Sequence, residues 1–139
     1  MRIAILLAAV VSLLPQSAVQ PFDGTWTADF QGRPLVRLEL HAADSTLTGR
    51  IQIADMHVDS TGAVERLDSG LSDPAPLSQL IVRDRTVSFT AHDDDAFQMV
   101  LLADGRAELR FVLTDELREE LARDGIPVPK PLVLSRVKP

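Results

Sequence analysis

The side chains best able to do chemistry in this 139-residue chain lie in "IQIADMHVDS", Ile51–Ser60, where Asp55, His57 and Asp59 recur at every second position. Side chains at i, i+2 and i+4 share one face of a strand. Two carboxylates and one imidazole on one face can hold a divalent ion only with a further ligand. His41 and His92 are the remaining imidazoles, and the phase of their strands points both outward. The segment also changes phase. Ile51 and Ile53 are apolar at odd positions, Met56 and Val58 at even ones. A one-residue bulge at Ala54–Asp55 puts Met56 and Val58 inside and the three polar groups outside. Without the bulge, Asp55, His57 and Asp59 line the interior near one rim, as ligand contacts or metal ligands. No metal is expected, and His57 is carried forward as a polar contact to an organic ligand.

Other chemistries find less support. The chain has no cysteine, no G-x-S-x-G elbow, and no serine tied by motif to a histidine. Its seven glycines are scattered, with no phosphate-cradling loop. Asp93-Asp94-Asp95 lacks the spaced ligands and glycine of a calcium loop and reads as a hairpin tip. Glu119-Glu120 with Arg118 and Arg123 reads as the wet face of a helix. No catalytic residue and no cofactor are expected.

The elements that would carry these residues are mostly strands. Val36, Leu38 and Leu40 alternate with Arg37, Glu39 and His41; Leu47, Ile51 and Ile53 with Thr46, Thr48, Arg50 and Gln52; Val87, Phe89 and Ala91 with Thr86, Ser88, Thr90 and His92. Phe97, Met99 and Leu101, then Leu109, Phe111 and Leu113, continue the pattern, and Leu132–Val137 reads as a last strand. One-sided alternation marks antiparallel strands with one buried face. Short polar connections join them, including Asp104-Gly105, a two-residue hairpin signal. Thr114 caps a helix over "DELREELAR", with Leu117 and Leu121 on one face and Gly125 at its end. Asp59–Pro76 reads as an irregular excursion with a short strand at Ala63–Leu67, either a surface loop or a lid.

The N-terminal stretch reads as an export signal: Arg2, an apolar run Ile3–Val11, Pro15, then Ser17 and Ala18. The run is too short to span a bilayer. Residues 1–18 are expected to be removed, leaving a single domain at 19–139 in the periplasm or outside the cell, without stable membrane insertion. Cleavage lowers Lys plus Arg from 14 to 13 against 20 acids, a net charge of −7. That acidity, with no basic run or aromatic platform, excludes nucleic acid as a partner.

Gly24-Thr25-Trp26 resembles the G-x-W motif that opens the first strand of lipocalins and the wider calycin group. Arg136, in "LVLSRV", stands where those proteins place a last-strand arginine over the tryptophan, and a helix before the last strand is a further likeness. The T-D-Y-like motif of that group has no counterpart beyond Thr114-Asp115-Glu116, which a helix cap explains. The resemblance implies an all-β, antiparallel up-and-down closed barrel of about eight strands with one short helix before the last; a small β-sandwich is the alternative. Gly24, Trp26 and Arg136 would close one end of that barrel. Its interior would bind a small apolar or lipid-like ligand on Val36, Leu38, Ile51, Phe89, Met99 and Phe111, with His57 at the rim and Asp59–Pro76 as a lid. The alternative function is an interaction or inhibitor module with a filled core, using the outward apolar residues Val100, Leu102 and Val112; its protein partner is not specified.

Overall fold

The computed structural model describes residues 18–92 and 95–138. Ten antiparallel strands follow a short 3-10 turn at Gln20–Phe22. They are β1 (Gly24–Phe30), β2 (Arg33–Ala43), β3 (Thr46–Val58), β4 (Val64–Leu71), β5 (Ala75–Pro76), β6 (Ser78–Arg83), β7 (Thr86–Ala91), β8 (Asp95–Leu101), β9 (Ala107–Val112) and β10 (Leu132–Arg136). Helix α1 (Asp115–Arg123) lies between β9 and β10. No helix among the described residues is long and apolar enough to cross a membrane.

The hydrogen-bonded order is β4-β3-β2-β1-β10-β9-β8-β7-β6, with β5 paired to β3 beside β4. The sheet is an up-and-down meander that curls into an open half-barrel, because β4 and β6 end the ladder and do not pair. This corrects the expectation of a closed barrel of about eight strands. The physical reason lies in the segment expected to be a loop or lid, which instead supplies β4 and β5. β3 gives its C-terminal half to β4 and holds β5 at Arg50 and Ile51. Leu77 adds one more bond, its N–H to the Gly49 carbonyl at 3.0 Å. From Ser78 the chain pairs instead with β7, and Gln79, at a left-handed φ of 53°, sits where the register of that ladder shifts. Pro76 has no N–H to extend the β5 ladder.

The sheet buries the alternating apolar face. Leu38, Ile51, Val87, Met99, Leu109 and Leu134 are fully buried, and among the described residues no polar or charged side chain is buried with them. β3 carries register shifts between Ala54 and Met56 and between His57 and Val58. Ala54 is therefore buried and Met56 packs on the core, while Asp55 and His57 are exposed. The β8–β9 connection is longer than a two-residue hairpin. Leu102 N–H donates to Arg106 O at 2.8 Å, leaving Ala103–Gly105 as the turn, with Gly105 at φ 88°. That geometry is a three-residue turn whose last position favours glycine. α1 begins as its cap requires, Thr114 Oγ1 accepting from Leu117 N–H at 3.1 Å, yet none of its residues is buried.

Candidate functional site

β1 meets β10 with Trp26 directly opposite Arg136. The guanidinium carbon stands 4.4 Å from the centre of the indole. Trp26 Nε1 donates to Phe22 O at 3.0 Å, and Arg136 donates to Pro21 O. Gly24 sits against the Arg136 side chain at φ 130°, a conformation that costs a side-chain-bearing residue strain. These five residues fasten the middle of the sheet, far from its two free edges.

A cleft of about 740 Å³ opens at the other end of the half-barrel. The β9 register fixes its position: Ala107 lies beside Leu134 near the seam, and Val112 lies at the far end. β3 contributes Ile53, Ala54 and Asp55 to one wall. His92, Asp95, Ala96 and Phe97 form the opposite wall, and Phe111 through Thr114 with Leu117 of α1 form the mouth. Phe97 stacks on the buried Phe89 with centroids 5.5 Å apart and tilts against Phe111 at 5.7 Å, so Phe97 and Phe111 make an apolar floor backed by Phe89. Ser72 pins the cleft's edge: its Oγ accepts from Ile53 N–H at 3.2 Å, and its carbonyl accepts from Gln52 Nε2 at 3.0 Å.

Of the ligand contacts expected from sequence, Phe111 lines this cleft. Val36, Leu38, Ile51, Phe89 and Met99 are buried in the packed core, each at most 2% exposed, and none of them lines the cleft. His57 is exposed on β3, with Nε2 3.8 Å from Glu65, and is also outside the cleft. Ile53, Ala54, Phe97, Leu113 and Leu117 also line the cleft and were not expected as ligand contacts, although alternation places Ile53, Phe97 and Leu113 on apolar faces. Leu117 carried a signal: it is the apolar position nearest the cap of a helix with an exposed surface.

Asp59 has a local role. Its Oδ1 accepts from Thr61 N–H at 2.8 Å, Thr61 Oγ1 at 2.6 Å and Ala63 N–H at 3.2 Å. The Thr61 hydroxyl, then its N–H, holds the Asp59 carboxyl below its ordinary range. A depressed folded pKa stabilises the fold above the unfolded value, and that contribution fades as pH falls through the folded value. Carboxyl NMR titration should therefore place the Asp59 midpoint below that of an unstructured aspartate, and Thr61→Ala should move it up. An unchanged midpoint in that variant would remove the proposed cause.

A second concavity, about 700 Å³, lies on the outer face of β1–β3 around Asp23, Glu39, His41 and Arg50. Its acids are already engaged. Arg50, then Arg37, hydrogen-bonds Glu39 and holds it below the usual carboxylate range. Asp23 Oδ1 accepts from Ala42 N–H at 2.8 Å and stands 3.9 Å from His41 Nδ1.

Among the described residues no group of three or more His, Cys, Asp or Glu side chains is placed to hold a metal ion. Asp93 and Asp94 of the tri-aspartate tip lie outside the described residues. The outward residues do not merge into one patch. Val112 pairs with Ala96 and Val100 with Glu108, and the Gln98–Arg110 row stands between them. No family model, no curated protein and no solved structure matches the chain.

Proposed function

We propose that this protein is an exported binder of one small, largely apolar molecule, held in the cleft between β3, β8 and the β9–α1 segment. The supporting observation is the cleft itself. Its volume of about 740 Å³ and its floor of Phe97 and Phe111 suit a single organic ligand. Ligand contacts move from the core positions expected from alternation to Ile53, Phe97, Phe111, Leu113 and Leu117. Export rests on the charge, hydropathy and small-residue pattern of residues 1–18.

Binding should raise the melting temperature by several degrees across a panel of alkyl and aromatic compounds, since a ligand at a hundred times its Kd adds about 2.7 kcal/mol. Leu117 is 41% exposed, so Leu117→Ser should leave the unliganded melting temperature in place. It should weaken binding about tenfold through lost apolar contact. No thermal response to any compound in the panel would remove this reading.

A second reading, a protein-interaction module, draws on a different observation. The ladder ends at β4 and β6, and on β6 the outward Ile81 is 59% exposed. An unpaired edge can accept an extended segment of another exported protein. Capture of a discrete partner that Ile81→Lys abolishes, with no ligand response in the cleft, would favour it.

A further inference from the structure

We propose that the cleft's ligand carries a positively charged head: a free, single-chain alkylammonium, its chain on the phenylalanine floor and its head between Asp55 and Asp95. This rests on the cleft reading above and names its ligand class. The cleft is asymmetric in charge. Asp55 comes from β3 and Asp95 from β8, on opposite walls, and among the described residues neither Lys nor Arg lines the space between. Among the described residues, His92 is the one lining side chain able to carry positive charge. Among the described residues, no ion pair involves either Asp55 or Asp95. This differs from the outer groove, where Glu39 is bound by two arginines. The start of α1, which would otherwise favour an anion, is already answered: Thr114 takes the Leu117 N–H, and Asp115 and Glu116 occupy the first turn.

An alkyl carboxylate would meet two like charges here, and a neutral alcohol would leave both without a counter-charge. An alkylammonium satisfies both carboxylates while its chain covers Phe97, Phe111 and Leu117. The cleft holds one such chain; it is not a surface for a bilayer.

Calorimetric titration with dodecyltrimethylammonium, dodecanol and dodecanoate, each below its aggregation limit and at about pH 8, above the ordinary imidazole range, separates the cases. The ammonium should bind about three- to tenfold more tightly than the alcohol, and the carboxylate most weakly. Raising ionic strength from about 0.01 to 1 M should erase the ammonium's advantage. The double variant Asp55→Asn, Asp95→Asn should likewise erase the ammonium's advantage over dodecanol. If dodecanol or dodecanoate binds as tightly as the ammonium, or if the double variant keeps the preference, the charged-head inference falls while the cleft reading stands. If none of the three binds, the cleft reading itself falls, and this inference with it.

Discussion

Trp26→Ala should lower the unfolding free energy by about 3–5 kcal/mol, the cost of removing a large buried aromatic ring. The indole is 1% exposed and sits where the N-terminal and C-terminal parts of the sheet are stitched together. Its loss empties that volume and leaves the Phe22 carbonyl without its N–H donor. It also leaves the Arg136 guanidinium with nothing beneath it. Trp26→Phe keeps a ring but forfeits the hydrogen bond, and should cost less, about 1–3 kcal/mol. Arg136→Ala should cost about 0.5–2 kcal/mol through the cation–π contact. Urea unfolding followed by circular dichroism measures all three. In a double-mutant cycle, Arg136→Ala should cost little once Trp26 is gone. Independent, additive losses would mean that the two side chains do not act as a unit.

Gly62→Ala should be the other large loss, about 2–4 kcal/mol. Gly62 has a φ of 90°, which a side-chain-bearing residue adopts only under strain. An added Cβ would also stand 2.2 Å from the Val128 carbonyl oxygen, which is backbone and cannot rotate away. Gly62 O accepts from Lys130 N–H at 2.9 Å, so this glycine ties the β3–β4 turn to the proline-rich run before β10. The expected signature, besides lower stability, is faster hydrogen exchange at Lys130 N–H. Gly32→Ala is the comparison: φ is also positive there, at 78°, but nothing lies within 4 Å of the added carbon. Only strain applies at that position, and the loss should stay near 1–2 kcal/mol. Equal losses at both sites would count against the close contact.

How far the sequence speaks depends on whether a residue's role is local. Alternation placed the faces of β2, β7, β8 and β9, because a strand's side chains must take turns. Thr114 and the Leu117–Leu121 spacing marked α1 for the same reason. The phase change after Ile53 was readable as a bulge, and the register shift at Ala54 accounts for it. β4 was not readable over its length. Its apolar residues Val64, Leu67 and Leu71 fall three and four apart, because the pairing with β3 slips along its length, and Ser, Gly and Asp fill the gaps. Closure was not readable either. It depends on whether β4 and β6 pair, and β6 is committed to β7 from Ser78 onward. Alternation also cannot distinguish a packed core from a cleft lining. Phe89 and Phe111 obey the same pattern, yet the first is 2% exposed and the second borders open space.

The seam between β1 and β10 governs when this molecule can become native. Pro21 and Arg136, 115 positions apart, share a hydrogen bond, and Thr25 waits for Val137 to satisfy its carbonyl. A chain still emerging from the ribosome lacks the strand that covers its own tryptophan. Contacts this distant in sequence form slowly, because loop-closure entropy is lost before they return any stabilisation. The growing polypeptide therefore cannot close this seam until its last strand is synthesised.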